Sequence, residues 1–546
     1  MATAGVRSFR ACVAGIAAGS LVLVGCADSE RGEGDDRNTF VFAGSEAPKT
    51  LDPFYASDGE TFRVTRQLYE GLVGTNPGEV TPAPLLAESW EQSEDGLSYE
   101  FELKSGVTFH DGTPFDAEAV CANFDRWYNT PENQQTDDKA YYYGKLFRGF
   151  ATGPTADAAI YGGCTADAET TATVTLTSPF AGFIAALSLP AFSMQSPTAL
   201  EEYQDDAADN VLTTDYSTQH PTGTGPFQFG AWDQGSGEVR LERYDDYWGD
   251  VAQVDEAIIV QIESPRGRAD ALRNGEIDGF DLVGPADVAP LQDDGYQIEN
   301  RDPFNILYLG FNQAQEPFGD IRVRQAIAHA IDKEAVIAAS MPEGTLPADQ
   351  FVPELVMGYA NDVTQYEYDP ELAEQLLAEA GATGATITFN YPTNISRPYM
   401  PQPEDTFNAI RSQLEAVGLV VEPVSNEWND YIPQVQATED HGIHLLGWTG
   451  DYDDTDNFLG VFFGQQSQEF GFDDPALFEE IAAPRSLPSP EEQEPLYQQV
   501  NRDVMDLLPG VPIASPVPSL AFAPEVDGYQ TSPVQDEVWN NVTVGE

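Results

Sequence analysis

The sequence is poor in basic residues. Its 546 residues include 25 Lys and Arg against 91 Asp and Glu, which gives a formal net charge of −66 at pH 7. So negative a chain repels a phosphate backbone, and no cluster of Lys and Arg is present to offset the repulsion. The composition therefore excludes a nucleic-acid-binding protein and disfavours adsorption of a protein face to anionic lipid. With 41% hydrophobic and 11% aromatic residues, the chain is nevertheless typical of a folded globular protein.

Sequence signatures of common catalytic sites are missing as well. The chain has no GxSxG, HExxH, GxxxxGK[ST] or CxxC pattern, and Gly223-Thr224-Gly225 lacks the third glycine of a dinucleotide fingerprint. His441 and His444 could share a metal, but such a pair is more often one exposed and one packed histidine. The acidic run 451–456 fails the EF-hand pattern because position twelve is Phe462 instead of Glu. We therefore expect no catalytic residue, no metal, no cofactor and no enzyme, although the abundant carboxylates leave a paired-acid hydrolase open.

Long hydrophobic runs are absent too. The longest lies within the first 25 residues, is too short for a membrane-spanning helix and follows Arg7 and Arg10, which is typical of a secretory signal peptide. It ends in Leu-Val-Gly-Cys26, a pattern that resembles the bacterial lipobox, in which the cysteine is diacylated and begins the mature protein. We predict a lipoprotein signal peptide at 1–25, lipidation of Cys26 and a flexible polar tether at 26–38. The protein would then be extracytoplasmic and anchored by lipid to the outer face of the bacterial cell membrane.

Only four cysteines are present. Cys12 leaves with the signal peptide and Cys26 is committed to lipid, so Cys121 and Cys164 remain as an even pair in an oxidising compartment. We predict a structural disulfide between them, which by the loop-entropy relation would stabilise the fold by roughly 3–4 kcal/mol. Two isolated cysteines make a poor zinc site, which again favours a protein without a metal.

Periodic patterns that indicate strands and helices run along the rest of the chain. At 97–103, alternate residues are apolar, which predicts a half-buried strand. Helix starts are predicted where a capping residue precedes apolar residues at helical spacing. These capping residues are Asp116, Asp320, Asp369 and Ser489, the last in a capping box with Glu492. The alternation of strands and helices predicts an α/β protein of two to four structural units.

Nine phrases, in order along the chain, resemble the extracellular solute-binding proteins of ABC importers, in particular the peptide/nickel-type family, family 5, which includes dipeptide- and oligopeptide-binding lipoproteins. The phrases are TLDPF at 50–54, LYEGLVG at 68–74, LAESWEQSEDGLSYEFELKSGVTFHDGTPFDAEAV at 86–120, HPTGTGPFQF at 220–229, RYDDYWG at 243–249, ALRNGEIDG at 271–279, PFGDIRVRQAIAHAIDK at 317–333, YDPELAEQLLAEAG at 368–381 and GWTGDYDDTDNFL at 447–459. A single phrase would be weak, whereas the ordered set spans nearly the whole mature chain.

The resemblance implies a two-lobed α/β clamp of the periplasmic-binding-protein type (type II, cluster C) with an extra subdomain in the first lobe. Lobe I would comprise 39–70, 205–304 and 506–546, the inserted subdomain 71–204, and lobe II 305–505. The ligand would bind between the lobes, which close over it by a hinge motion. The implied function is that of a monomeric receptor that captures short peptides and delivers them to the membrane permease of an ABC importer.

A receptor for free peptides must satisfy an ammonium and a carboxylate as both leave water, because burying either without a partner is unfavourable by several kcal/mol. In the dipeptide-binding branch of the family, the Arg of an Arg-Pro-Tyr phrase anchors the carboxylate, and the Asp of GW-x-G-D anchors the amino group. Both phrases occur here, which implies that Arg397 and Asp451 are the two anchors. Tyr399 would add a hydroxyl donor, and Trp448 a flat apolar wall. The acids that follow are expected to serve turns and caps; these are Asp453, Asp454 and Asp456.

Other functions stay open at this point. The same fold could bind a nickel–chelator complex, haem, glutathione or an oligosaccharide, and a metal complex would rely on a histidine such as His441 or His444. The chain could also be an extracellular hydrolase or a structural envelope lipoprotein. Arg397 could instead neutralise part of the acidic surface, and Asp451 could be a helix cap or one more solvated acid.

Overall fold

The structure is a computed structural model, and it describes residues 38–136, 138–205, 207–208, 210–438 and 440–545. The predicted signal peptide, Cys26 and nearly all of the predicted tether therefore lie outside the described residues. Within these ranges, no helix combines the length and the apolar character that crossing a membrane requires.

The described residues form a mixed α/β fold. Its strands are β1 Thr39–Gly44, β2 Val73–Thr75, β3 Pro82–Pro84, β4 Ala87–Gln92, β5 Ser98–Leu103, β6 Tyr161–Ala168, β7 Thr171–Leu176, β8 Phe227–Asp233, β9 Glu238–Arg243, β10 Glu256–Gln261, β11 Gly279–Phe280, β12 Gln297–Asn300, β13 Asn305–Phe311, β14 Leu346–Pro347, β15 Thr386–Thr393, β16 Val420–Glu427, β17 Ile443–Thr449, β18 Gly510–Ser515, β19 Ser519–Phe522, β20 Val526–Asp527 and β21 Thr543–Val544. Its helices are α1 Gly59–Leu68, α2 Ala117–Tyr128, α3 Tyr141–Phe147, α4 Phe183–Ala186, α5 Pro197–Tyr203, α6 Asp215–Gln219, α7 Pro265–Arg273, α8 Pro285–Asp293, α9 Ile321–Ala330, α10 Lys333–Ser340, α11 Pro370–Ala380, α12 Pro403–Ala416, α13 Trp428–Gln436, α14 Leu459–Phe463, α15 Pro475–Ala482 and α16 Pro490–Leu507.

The first sheet is built from strands that lie far apart in the sequence, in the order β12-β19-β11-β1-β10-β9-β8. β1 lies at its centre and runs parallel to β10 and β11 on its two sides. The sequence of β1, TFVFAG, is apolar on both faces and buried almost throughout, as expected for a central strand covered on both sides. Phe40 and Phe42 each pack against Trp539 with ring centroids 5.3 Å apart, which ties the carboxyl-terminal segment to this core.

The second sheet has the order β14-β18-β13-β17-β15-β16. β15 runs parallel to β16 and to β17, so the carboxyl ends of these three strands lie at the same edge. β13, with the sequence NILYLGF, is buried along its whole length and pairs antiparallel with β17 and β18. The sequence-based boundaries assign residues from 506 onward to lobe I, whereas β18 is hydrogen-bonded into the second sheet.

Two short segments connect the first sheet to the second. The chain passes from β12 to β13 through 301–304, and it returns from β18 to β19 through 516–518. The two segments lie side by side, because the Arg301 amide donates a hydrogen bond to the Pro518 carbonyl at 3.0 Å. Arg301 is almost fully buried and forms ion pairs with Asp281 and Glu537, which anchor the crossing within the first sheet.

A four-stranded antiparallel sheet, in the order β4-β5-β7-β6, is inserted between β1 and β8 of the first sheet. In β5, the apolar residues at positions 99, 101 and 103 are buried and the glutamates between them are exposed, which confirms the strand predicted from alternation. α2 packs on this sheet. The structure joins Cys121 of α2 to Cys164 of β6 in a disulfide, with Cα atoms 5.2 Å apart.

Helices begin at the predicted capping residues. The side chains of Asp116, Asp320 and Asp369 accept hydrogen bonds from backbone amides at the starts of α2, α9 and α11. Gly381 ends α11 in the left-handed conformation, with φ 70°. The predicted capping box at Ser489 is wrong in its detail: α16 starts after this residue, but none of its described amides bonds to the Ser489 hydroxyl.

Candidate functional site

The carboxyl edge of the parallel strands β15, β16 and β17 gathers the side chains that the sequence motifs assign to ligand binding. Arg397 lies four residues beyond β15, Trp428 directly follows β16, and Asp451 lies two residues beyond β17. In open α/β sheets, ligands bind outside the carboxyl ends of the strands, where the loops leave the sheet. The carboxyl end of β1, in the first sheet, faces the same region, because Glu46 beyond it contacts Arg397. The candidate site therefore lies between the two sheets.

Arg397 is held by a turn, an aromatic ring and a carboxylate. Its backbone exchanges two hydrogen bonds with Met400, whose side chain is fully buried and fixes the turn. The guanidinium lies over the Trp428 ring, 4.5 Å from its centroid, and Nη2 lies 3.4 Å from Glu46 Oε1. The buried Nε–H of Arg397 has no hydrogen-bond partner among the described residues. The guanidinium thus keeps donor capacity for an anion, in the planar arrangement that suits a carboxylate.

Asp451 is a partly buried carboxylate with two neutral donors. The Tyr142 hydroxyl of α3 donates to Oδ1 at 2.9 Å, and Asn457 Nδ2 donates to Oδ2 at 3.1 Å. The Asp451 amide donates to Asn457 Oδ1 at 2.8 Å, which fixes the loop. Burial raises the pKa of Asp451 to about 6, against the lowering effect of both side-chain hydrogen bonds and of the Arg66 charge. A cation beside this carboxyl would lower its pKa and favour the ionised form.

Tyr399 and Trp448 are packed side chains at the same edge. Tyr399 is 8% exposed, and burial raises its pKa to about 12. Its ring lies so close to Gly447 that a Cβ added there would be 2.4 Å from Tyr399 Cδ2, which explains why glycine occupies that position. Trp448 is partly buried, and its Nε1 donates to Asn457 Oδ1 at 3.3 Å. The hydroxyl-donor role of Tyr399 and the wall role of Trp448 stay predictions.

Five residues whose side chains contact or influence the two anchors were not predicted from the sequence. They are Glu46, Arg66, Tyr142, Trp428 and Asn457. Asn457 lies in the GWTGDYDDTDN phrase, so its spacing from Asp451 was an available signal. The contacts of Glu46 and Tyr142 with the anchors span 351 and 309 positions, and no local pattern relates residues so far apart.

The other acids of the GWTGDYDDTDN phrase serve the structure. Asp454 caps a single helical turn by accepting a hydrogen bond from the Asp456 amide at 2.9 Å, which confirms the expected capping role. Asp456 forms an ion pair with Arg485 at 3.0 Å, so it is more than a turn residue. Asp453 accepts a hydrogen bond from the Met357 amide at 3.3 Å. Of the acids in this phrase, Asp451 is thus the one that faces the candidate site.

His441 and His444 lie inside the second lobe's core and not in the candidate site. His444 is fully buried, and its Nε2 lies 3.2 Å from Glu469 Oε1, which also accepts the Tyr308 hydroxyl at 2.6 Å. Both ring nitrogens of His441 lie within 3.1 Å of backbone carbonyl oxygens. In the part of the chain that the structure describes, no group of three or more His, Cys, Asp or Glu could hold a metal ion. The geometry gives no support to a metal complex bound by these histidines.

The chain is similar in sequence to proteins of one family. The family model described as bacterial extracellular solute-binding proteins, family 5 middle, matches residues 81–470. A dipeptide-binding protein of Escherichia coli (strain K12) is 30% identical, and the match covers 93% of this chain and 94% of that protein. Heme-binding protein A of Haemophilus influenzae is also 30% identical, and the match covers 97% of this chain and 98% of that protein.

The fold is similar to solved structures over nearly the same length. The periplasmic binding protein DppA of Helicobacter pylori, in complex with the peptide STSA, matches with a TM-score of 0.77 and 26% identity, covering 93% of this chain and 99% of that chain. HbpA2 of Haemophilus parasuis matches with a TM-score of 0.75 and 27% identity, covering 93% and 100%. These likenesses confirm the predicted fold class, a two-lobed α/β clamp. The chain belongs to the bacterial extracellular solute-binding proteins of family 5.

Proposed function

We propose that this protein is the substrate-binding receptor of an ABC importer and that it captures short peptides between its two lobes. Membership of the solute-binding family supports the first part. One observation carries the second: Arg397 and Asp451, of opposite charge, lie at the same strand edge of the second sheet. Each contacts a group from the amino-terminal part of the chain, namely Glu46 and Tyr142. The protein would act as a carrier and not as an enzyme.

A free peptide supplies the two charges that this arrangement can compensate. Its carboxylate would take the free donors of Arg397, whose flat face is already covered by Trp428, so that the remaining donors point along the plane of the guanidinium. Its ammonium would lie beside Asp451 and convert a carboxyl of raised pKa into a fully ionised partner. Both contacts are made to the second sheet, and the groups that face the two anchors from the other side, Glu46 and Tyr142, would close over the ligand.

The charge pattern of the site favours a peptide over a ligand with acidic groups alone. The E. coli relative is named for dipeptides, and the H. pylori structure holds the peptide STSA. The H. influenzae relative is named for haem, whose ionisable groups are carboxylates. A ligand of that kind could satisfy Arg397 but would leave Asp451 without a counter-charge, whereas a peptide satisfies both.

We further propose domain boundaries that follow the sheets. The proposed boundaries are lobe I at 39–70, 205–304 and 516–546, the inserted subdomain at 71–204, and lobe II at 305–515. Because the two crossing segments lie side by side, a rotation about them would open and close the lobes without breaking either sheet.

The membrane attachment of the receptor is part of the same proposal. Lipid on Cys26 would hold a monomer at the outer face of the bacterial cell membrane, close to the permease that receives the peptide. A single acyl chain binds a bilayer only reversibly, whereas the diacylated cysteine of a lipobox supplies the two chains that stable anchoring requires. The polar tether would then let the clamp reach the permease.

Calorimetric titration with modified peptides tests the peptide assignment. Removing one member of a buried charge pair typically weakens binding by 2–5 kcal/mol, about 30- to 5,000-fold in affinity. Arg397→Ala and Asp451→Asn should each abolish micromolar binding and leave folding intact. A peptide amidated at its carboxyl terminus should bind wild type poorly and lose little further in Arg397→Ala. An N-acetylated peptide should behave in the same way with Asp451→Asn.

A matched control separates the anchor from general loss of positive charge. Arg411→Ala removes a partly exposed arginine of the same lobe, whose ion-pair partner among the described residues is its helical neighbour Glu415, and should leave every affinity unchanged. If the effects of the protein change and the ligand change simply add, Arg397 and Asp451 do not touch the peptide termini and the peptide proposal fails. If no peptide binds wild type, the ligand is another solute.

A further inference from the structure

Glu46 places a carboxylate beside the proposed carboxylate anchor. It lies two residues beyond β1, and its Oε1 is 3.4 Å from Arg397 Nη2 across the gap between the sheets. The Glu46 side chain is 34% exposed, so it lines this gap and is not part of a core. The nearest lysine in the sequence, Lys49, is paired with Asp58 at 3.5 Å. Arg397 is therefore the cation that Glu46 contacts.

The backbone next to Glu46 is held in place. Ser45 donates two hydrogen bonds to Glu60 Oε1, from its amide at 3.2 Å and from its hydroxyl at 2.9 Å. Glu60 is in turn paired with the buried Arg63 at 3.1 Å. A side chain at Gly44 would collide with Glu60, since an added Cβ would lie 2.3 Å from Oε2. The backbone next to Glu46 is thus fixed by buried contacts, which keep Glu46 on the side of the gap that faces Arg397.

Ligand binding changes the charge around this pair. Before binding, the charges of Glu46 and Arg397 compensate each other. A ligand carboxylate on Arg397 brings two carboxylates to one guanidinium, and the two repel. A cationic side chain on the last ligand residue removes the excess, because it can pair with Glu46 while the backbone carboxylate pairs with Arg397. An acidic side chain there would add a third negative charge.

A second acid strengthens the negative potential at this end of the site. Glu427 is the last residue of β16, is exposed, and directly precedes Trp428, whose ring lies beneath the guanidinium. Glu427 Oε1 lies 3.4 Å from Asn394 Nδ2, in the loop that leads to Arg397. A single arginine at this end is therefore accompanied by two acids, one from each side of the gap.

We infer that Glu46 is a specificity-determining residue, which selects peptides with a cationic carboxyl-terminal side chain and discriminates against acidic ones. The inference rests on the proposed function and adds to it the charge of the preferred ligand. Because Glu46 is partly exposed, solvent screening limits each favourable or unfavourable contact to about fivefold in affinity. Peptides that end in Lys and in Glu should then differ by about 25-fold.

Calorimetric titration with matched peptides tests this inference. Di- and tripeptides of alanine that end in Lys, Gln or Glu differ in charge and little in size. Wild type should bind the Lys peptide tightest and the Glu peptide weakest. In Glu46→Gln, the difference in affinity between the Lys peptide and the Glu peptide should fall to less than about fivefold, and the Gln peptide should still bind. Glu91→Gln is the matched control, because it neutralises an exposed acid on β4, in the separate four-stranded sheet. It should keep the wild-type difference in affinity between the Lys and Glu peptides.

The possible outcomes separate this inference from the proposed function. If the Gln peptides bind in a way that requires Arg397, but the Lys, Gln and Glu peptides bind with equal affinity, Glu46 does not determine specificity. The proposal of a peptide receptor would be unaffected. An unchanged ratio of the affinities for the Lys and Glu peptides in Glu46→Gln would lead to the same conclusion. If none of the peptides binds wild type, both proposals are overturned. A difference in affinity between the Lys and Glu peptides that Glu46→Gln and Glu91→Gln reduce equally would indicate the overall negative charge of the chain and would also overturn the role of Glu46.

Discussion

Protonation of Asp451 should set the pH range in which the receptor binds its ligand. In the ligand-free protein, burial raises the pKa of this carboxyl to about 6, while Tyr142, Asn457 and Arg66 act to lower it. A peptide ammonium is bound by the ionised form. Binding therefore lowers the pKa and releases a proton, so the full affinity is present above pH 6 and is lost as the pH falls through 6.

The size of the effect follows from that pKa. The carboxyl is about nine-tenths ionised at pH 7 and about one-tenth ionised at pH 5. The apparent affinity should thus fall about tenfold between these pH values, equivalent to about 1.4 kcal/mol. Asp451→Asn should lose most of the affinity and show no pH dependence in this range. Tyr142→Phe removes a donor to the ionised carboxylate, so it should raise the pKa and move the midpoint to higher pH.

Titration calorimetry at pH 5, 6 and 7, in two buffers of different ionisation enthalpy, measures both affinity and proton release. We expect release of nearly one proton at pH 5 and almost none at pH 7. The exposed Asp473 supplies the control, because in Asp473→Asn the affinity should depend on pH as it does in wild type. An affinity of wild type that is constant from pH 5 to 7, or an equal slope in Asp451→Asn, would refute the assignment of Asp451 to the ligand ammonium.

Three further predictions concern the lipid on Cys26, the disulfide, and the contact between Arg485 and the inserted subdomain. Cys26→Ala should block labelling by a lipid analogue, and a normally lipidated variant would reject the lipobox. Alkylation of the unreduced, unfolded mature protein should find no free thiol at Cys121 or Cys164; two modified cysteines would contradict the bridge. Arg485 bonds the carbonyls of Lys145 and Leu146 and pairs with buried Asp456, so Arg485→Ala should lower the free energy of unfolding by about 3–5 kcal/mol in denaturant titration. A loss below about 1 kcal/mol would show that the contact is unimportant.

The elements of the fold could be predicted because their signals are local. A cap such as Asp116 or Asp369 bonds amides within three residues, and the alternation at 97–103 needs only its neighbours. The order of the strands could not be predicted, since β1 pairs with strands more than 200 residues away. The same limit applies to β18, which is buried along its whole length, so its apolar pattern fits either sheet equally well.

The candidate site could be predicted only on one side. Arg397 and Asp451 stand in short phrases, so the sequence alone supplied them as hypotheses. Their partners Glu46 and Tyr142 belong to segments whose own patterns describe a strand end and an aromatic helix. The tertiary fold brings these two segments to the anchors on the second sheet. Sequence spacing cannot predict such contacts, because they join residues that lie more than 300 positions apart.

The two ends of the site differ in a way that predicts unequal ligand penalties. Arg397 already faces the carboxylate of Glu46, so a ligand carboxylate partly replaces one anion by another. Among the described residues, the donors at hydrogen-bond distance from the Asp451 carboxylate are neutral, and the charge of Arg66 acts from farther away, so a ligand ammonium would add a direct charge pair. N-acetylation of a peptide should therefore weaken binding at pH 7 more than amidation of its carboxyl terminus does. In Glu46→Gln the guanidinium has lost its own counter-charge, so the penalty for amidation should rise by about fivefold while that for acetylation stays constant. Calorimetry with the three peptide forms on both proteins measures these differences, and an amidation penalty that equals the acetylation penalty in wild type would show that Glu46 does not compete for the anchor.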